Sequence, residues 1–226
     1  MWQAGPIGEG SAPVWINDKL VLHTSWGGHI QLVDAETGGT VNSTTIGFRI
    51  HNTGSDKTRQ QLFFARGAPP PASSSEALPP DVLCRLEPQD LGVTETPVSQ
   101  ANAKFAVSPS GTTVAIAYQV TSPEFTVANR PSAIRVVDIA TGQTIADQIL
   151  PFELRTYRQA VWSPDEAMIC LSTKAGHLFL DAKSLDQRAL VERPYACEPK
   201  FSNDGKLILL AAWSNACIMP IATIFA

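Results

Sequence analysis

Residues 161–192, VWSPDEAMICLSTKAGHLFLDAKSLDQRALVE, decide the fold. A short apolar start meets a Ser-Pro-Asp-Glu turn and the apolar run MICLS follows. A polar loop, a second apolar run HLFLD, another polar turn and a mixed strand complete the segment. The reading is strand, tight turn, strand, loop, strand, turn, strand. Residues 200–226, KFSNDGKLILLAAWSNACIMPIATIFA, repeat the pattern but stop one strand short.

Working outward, the same unit occurs at 13–41, PVWINDKLVLHTSWGGHIQLVDAETGGTV. It recurs at 105–145, where FAVSPSGTTVAIAYQV and SAIRVVDIATGQTI flank an insertion. Trp15, Val107, Trp162 and Phe201 fall into one column, each followed by a turn bearing Asp or Gly. The step from Trp15 to Val107 is about twice a ~40–45-residue repeat, so a further copy belongs between them. FRIHNTGSDKTRQQLFFARG at 48–67 fits, with Ile50 in the aligned column and DVLCRLEP as its third strand. The intervening GAPPPASSSEALPP is a long loop inside that copy, because proline removes ladder donors.

Five repeats of this kind resemble the WD-repeat-like β-propellers. The residues that carry the likeness are SPSGTTVAIA with IRVVDIATGQTI, WSPDEAMICLS with GHLFLDAKSL, and FSNDGKLILLA. The Gly-His pairs Gly28-His29 and Gly176-His177 precede third strands, and no Trp-Asp closes a repeat. The expected fold is therefore all-β: a single β-propeller domain over 1–226, with five blades of four antiparallel strands. The blades span about 13–47, 48–98, 102–150, 158–192 and 198–226. A propeller leaves an open edge unless its last blade is completed. Residues 1–8 are expected to supply the missing outer strand, closing the fold with the N-terminal segment. The alternative is that the chain is a piece of a larger propeller.

Composition narrows the function. The chain has 226 residues, 44% apolar and 17% charged, with a formal net charge of -4, which suits a globular domain and disfavours a phosphate-tracking groove. No nucleic-acid or membrane partner is expected, since no stretch approaches the ~20 apolar residues of a membrane helix. MWQAGPIGEGSAPVW lacks the basic and apolar regions of a secretory signal, and a cytoplasmic location is expected. The four cysteines form no CxxC pair and read as buried thiols. No metal and no cofactor are expected, because no ligand spacing occurs.

The catalytic candidates are sparse. His29 and His177 occupy the same repeat position, which argues for a role in the fold. Asp18, Asp165 and Asp204 are aligned hairpin residues. A five-bladed glycoside hydrolase would need two carboxylates, for which Glu153, Glu192 and Glu198 in the entry loops are the candidates. The loops joining second and third strands should share a face with the loops entering each inner strand. That face collects Trp26, Trp213, Arg155, Tyr157, Arg158, Arg193 and Tyr195, residue types enriched at binding hot spots. The expected function is a non-enzymatic protein-binding propeller, monomeric on its own. A stoichiometric inhibitor or an immunity protein against a basic toxin or enzyme is one such role. The alternatives are a glycan-binding lectin and the glycoside hydrolase.

Overall fold

A computed structural model describes residues 13–25, 27–58, 61–67, 80–101, 103–120, 131–154 and 160–225, without the side chains of residues 51 and 52. The chain is all-β and of the β-propeller class, with five antiparallel blade sheets. It divides into two compact units, Met1–Asn102 and Ala103–Ala226. The first unit holds two blades. One runs in order β1 (Val14–Trp15), β2 (Leu20–Thr24), β3 (His29–Asp34), β4 (Thr40–Thr45). The other runs β5 (Arg49–Ser55), β6 (Leu62–Gly67), β7 (Asp81–Leu86), β8 (Val93–Gln100).

The second unit holds three blades. Strands β9 (Ala103–Val107), β10 (Thr113–Gln119), β11 (Ser132–Asp138) and β12 (Thr144–Ile149) form the first. The next contains β13 (Val161–Trp162), β14 (Met168–Ser172), β15 (Gly176–Asp181) and β16 (Gln187–Glu192). The last has three strands among the described residues, β17 (Lys200–Phe201), β18 (Leu207–Ala211) and β19 (Ala216–Pro220). Residues 1–8, expected to complete it, lie outside the described residues.

Turn chemistry explains why the first two strands of each blade pair. In the hairpin after β13, Ser163 N–H donates to Met168 O and Glu166 N–H to Ser163 O, each at 2.9 Å. Asp165 Oδ1 takes the Ala167 N–H and the Ser163 hydroxyl. Asp204 does the same after β17 with Lys206 N–H and the Ser202 hydroxyl. These contacts hold the carboxyls of Asp165 and Asp204 below the usual carboxylate range, the serine hydroxyl being the largest cause in each. Asp18 does not share this role. Asn17 Oδ1 accepts the Lys19 and Leu20 N–H groups instead, because this turn is one residue shorter.

The second blade also departs from the sequence alignment. Trp15, Val107, Trp162 and Phe201 all end inner strands opposite Val21, Val114, Ile169 and Ile208. Their counterpart is Ser55, opposite Leu62, rather than Ile50. Asn52-Thr53-Gly54 has the composition of a turn but lies within β5, and the turn falls later, where the Asp56 carboxylate takes the Gln61 N–H at 2.8 Å.

A second recurring turn joins third and fourth strands. Asp34 N–H donates to Gly39 O, Gly38 N–H returns to Asp34 O, and the Asp34 carboxylate takes the Thr37 N–H and hydroxyl. Asp138 repeats this with Thr141; Asp181 takes the Ser184 N–H, while the Ser184 hydroxyl donates to Asp186. Gly38 and Gly142 have φ of 74° and 71°, and Leu185 takes the same place at φ 62°. Pro220 stands where these aspartates stand, opposite Leu207 as Asp181 is opposite Met168. It has no N–H to start the turn and no carboxylate to hold it. The chain instead enters a short helix, α1 (Ile221–Ile224), with the Thr223 hydroxyl on Pro220 O at 2.7 Å.

Cores form between neighbouring blades inside each unit. In the first, Leu22, Ile30 and Leu32 pack with Ile50, Leu62, Phe64, Cys84 and Leu86. In the second, Ile134 and Val136 meet Ile169, Leu171, Leu178 and Leu180, while Cys170 and Phe179 meet Ile208 and Leu210. Fully burying one such side chain contributes roughly 1.5–3 kcal/mol, so these layers dominate the stability of each unit. Trp162 Nε1–H reaches Ala106 O at 2.7 Å and ties two blades of the second unit at their inner strands. Cys84 and Cys170 are buried free thiols; burial pushes Cys84 up to about 11 and Cys170 well above the ordinary thiol value. Cys217, read as a buried thiol from its apolar run, is only half-buried.

Candidate interaction surface

The loop after β14 and the loop entering the same blade pair directly. Leu154 bridges Thr173 in antiparallel sense, Lys174 N–H donates to Glu153 O at 2.8 Å, and Lys174 Nζ lies 2.6 Å from Glu153 Oε2. The next blade repeats the arrangement. Ala196 bridges Ala212, and Cys197 N–H donates to Ala211 O at 2.7 Å. In both blades the entry loop and the loop between second and third strands therefore lie on one face, as the strand alternation requires.

On this face, in the last blade, stands a cluster of named side chains. The Tyr195 and Trp213 rings stack with centroids 5.8 Å apart and planes 29° apart. Both remain open to solvent, at 57% and 77% exposure, which no packing requirement of a core would produce. Tyr195 holds this position with φ 59°, in the left-handed region that costs a bulky residue of order 1 kcal/mol or more. One turn of chain earlier, the Arg193 guanidinium donates through Nη1 to Cys217 Sγ at 3.0 Å and through Nη2 to Asn215 Oδ1. Segments 193–196 and 212–215 thus run antiparallel, with Arg193 beside Asn215 and Tyr195 beside Trp213.

The support beneath the cluster is polar and buried. Ser172 donates its hydroxyl to Cys197 O at 2.5 Å. His177 is fully buried and lies on Ala211 O, with Nε2 at 3.2 Å. A carbonyl only accepts, so Nε2 carries the proton and Nδ1 is a buried lone pair without a partner among the described residues. Burial, first, and the Arg193 charge hold the His177 imidazole below the ordinary histidine value, while the Ala211 bond opposes them.

The structure brings Arg193, Tyr195 and Trp213 together. Trp26, Arg155, Tyr157 and Arg158 lie outside the described residues. The expected equivalence of His29 and His177 fails by one register position. Ile30 lies opposite Thr24 as His177 lies opposite Ser172, because the loop before His29 carries one extra residue. His29 is exposed and bonded to Thr45 Oγ1 at 2.9 Å, whereas His177 is in the core. Of the three candidate carboxylates, Glu153 is engaged by Lys174, Glu192 is exposed at the end of β16 and Glu198 is half-buried. Asn215 and Cys217, which fix Arg193, are visible only once the register is known. The one sequence signal for them is their spacing of two and four residues from Trp213.

Among the described residues there is no group of three or more His, Cys, Asp or Glu side chains placed to hold a metal ion. No described helix is long and apolar enough to cross a membrane. No family model matches the chain, and no curated protein matches it.

Proposed function

We propose that the protein is a non-enzymatic binding protein that recognises a partner protein through the face bearing Tyr195 and Trp213. The observation that carries this reading is the stacked, solvent-open aromatic pair built on a strained Tyr195 backbone. Strain of this kind persists where the surroundings over-determine it, and it clusters at functional sites. Tyrosine, tryptophan and arginine are the residue types that anchor protein interfaces. The carboxylates of the competing glycosidase reading give no matching support, since Glu153 is committed to Lys174. Stoichiometric inhibition or immunity against a toxin is the form of binding role that suits a small acidic chain.

The test is capture by the immobilised protein from an extract of its source cells, with the Tyr195→Ala/Trp213→Ala variant as control. The captured protein is then purified and its affinity measured. Loss of an aromatic anchor typically costs ~2 kcal/mol, about thirtyfold in affinity. A partner held equally by both proteins would place the working surface elsewhere. Glycoside hydrolysis that disappears on replacing Glu153, Glu192 and Glu198 by Gln would overturn the non-enzyme reading.

A further inference from the structure

Arg193 differs from the other described arginines whose partners are known. Arg66 pairs with Glu95, Arg85 with Glu87, Arg135 with Asp147 and Arg188 with Asp181. Arg193 is held by a neutral amide and a thiol, and no carboxylate of the described residues pairs with it. A guanidinium has five N–H donors. One on each terminal nitrogen is used by Cys217 and Asn215, and Nε is buried without an acceptor among the described residues. That leaves one donor on each of Nη1 and Nη2 without a partner among the described residues, on a group whose orientation is already fixed. Charge-assisted hydrogen bonds from such donors are the strong contacts that hold a carboxylate. Glu192 precedes Arg193 on an extended ladder, where successive side chains point to opposite sides. Glu192 forms no ion pair with Arg193.

We infer that this cluster binds an acidic side chain of the partner, with the carboxylate on Arg193 and an adjoining apolar group on the Tyr195–Trp213 pair. The inference rests on the binding reading above and deepens it. Local charge, rather than the net charge of -4 that suggests a basic partner, decides the contact at this point. Anchoring the guanidinium through neutral groups keeps its full positive charge for the ligand, while fixing its direction reduces the entropy lost on binding.

The probe is a displayed library of random peptides, selected on the wild-type protein and counter-selected on Trp213→Ala. Enriched peptides should carry Asp or Glu next to an aromatic or aliphatic residue. Synthesised individually, they should lose about tenfold or more in affinity when the acid becomes its amide, and likewise on Arg193→Gln. Their affinity should also fall with added salt. Melting curves check that Arg193→Gln folds, and Asn215→Ala, which frees the guanidinium from its anchor, gives an independent second variant with a weaker loss. Trp213-dependent peptides that lack acids, or that bind Arg193→Gln unchanged, would overturn the inference and leave the binding reading standing. Absence of any Trp213-dependent peptide would also overturn it, and the capture experiment would then decide the binding reading alone.

Discussion

The last two blades of the second unit share their backbone hydrogen bonding and differ in what they expose. In the first of them, Thr173 N–H donates to Gly176 O across the loop Thr173–Gly176. In the second, Ala212 N–H donates to Asn215 O across Ala212–Asn215. Lys174 of the first loop reaches back to Glu153, an ordinary surface ion pair. Trp213, at the equivalent place, stacks on Tyr195 and stays open. The difference at the loop ends has a steric cause. A Cβ on Gly176 would lie 2.2 Å from Val191 O and 2.7 Å from Arg193 N, because β16 closes over it. Asn215, at the equivalent place, carries a side chain, and it is this side chain that orients Arg193. The lesson is that the backbone framework is shared, and single residues at the loop ends decide which side chains it presents.

The largest expected effect breaks that steric rule. Gly176→Ala forces a Cβ into backbone atoms that cannot swing aside, at a φ of 149°. It should destabilise the protein by on the order of 3 kcal/mol, read as a lowered denaturant midpoint. Asn215→Ala at the equivalent place should leave the midpoint nearly unchanged. Equal sensitivity at both positions would show that the close approach of β16 to Gly176 is not the deciding element.

An intermediate effect comes from His177, which lies beneath the Trp213 loop and joins the two blades. Its imidazole titrates lower in the folded protein than the ordinary value of 6.5, so the unfolded chain binds more protons in that range. Stability is therefore full above the ordinary value and is lost as pH falls through the lowered folded value. Denaturant titrations from neutral pH towards 5 should show this loss, alongside any contribution from carboxylates. The variant His177→Gln can still donate to Ala211 O, and its stability should fall less over the same range. A wild-type slope matched by the variant would remove His177 as the cause.

The smallest effect sharpens the comparison at the first hairpins. Glu166 and Gly205 hold the same turn position with φ of 59° and 70°. Glu166 also binds the N–H and hydroxyl of Ser110 in the preceding blade, which offsets its left-handed backbone. Glu166→Gly should therefore change stability by no more than about 0.5 kcal/mol, strain relief opposing the lost contact. Gly205→Ala has no such compensation and should cost about 1 kcal/mol. Thermal melts of the two variants, made side by side, check the ordering. A Glu166→Gly variant that is clearly the more damaged would show that the Ser110 contact outweighs the strain.

The division between what sequence and tertiary structure determined follows from the range of the forces involved. Alternating apolar runs separated by Ser-Pro-Asp-Glu and Asp-Ala-Lys-Ser turns depend on contacts between residues a few positions apart. They can be read directly, and they led to the five blade sheets. Local readings fail where turn-type residues lie inside a strand or where a turn or loop differs in length by one residue. The sequence aligns Ile50 where Ser55 stands because turn-type residues lie inside β5, Asp18 where Asn17 acts because that turn is one residue shorter, and His29 with His177 because the loop before it is one residue longer. Trp213, Tyr195 and Arg193 were legible as residue types suited to recognition. That Tyr195 stacks on Trp213, and that Asn215 and Cys217 aim Arg193, depends on two segments meeting across about twenty residues of chain. Only the folded sheet brings them together, since hydrogen-bond and stacking geometry exist between surfaces and are not encoded in either segment alone.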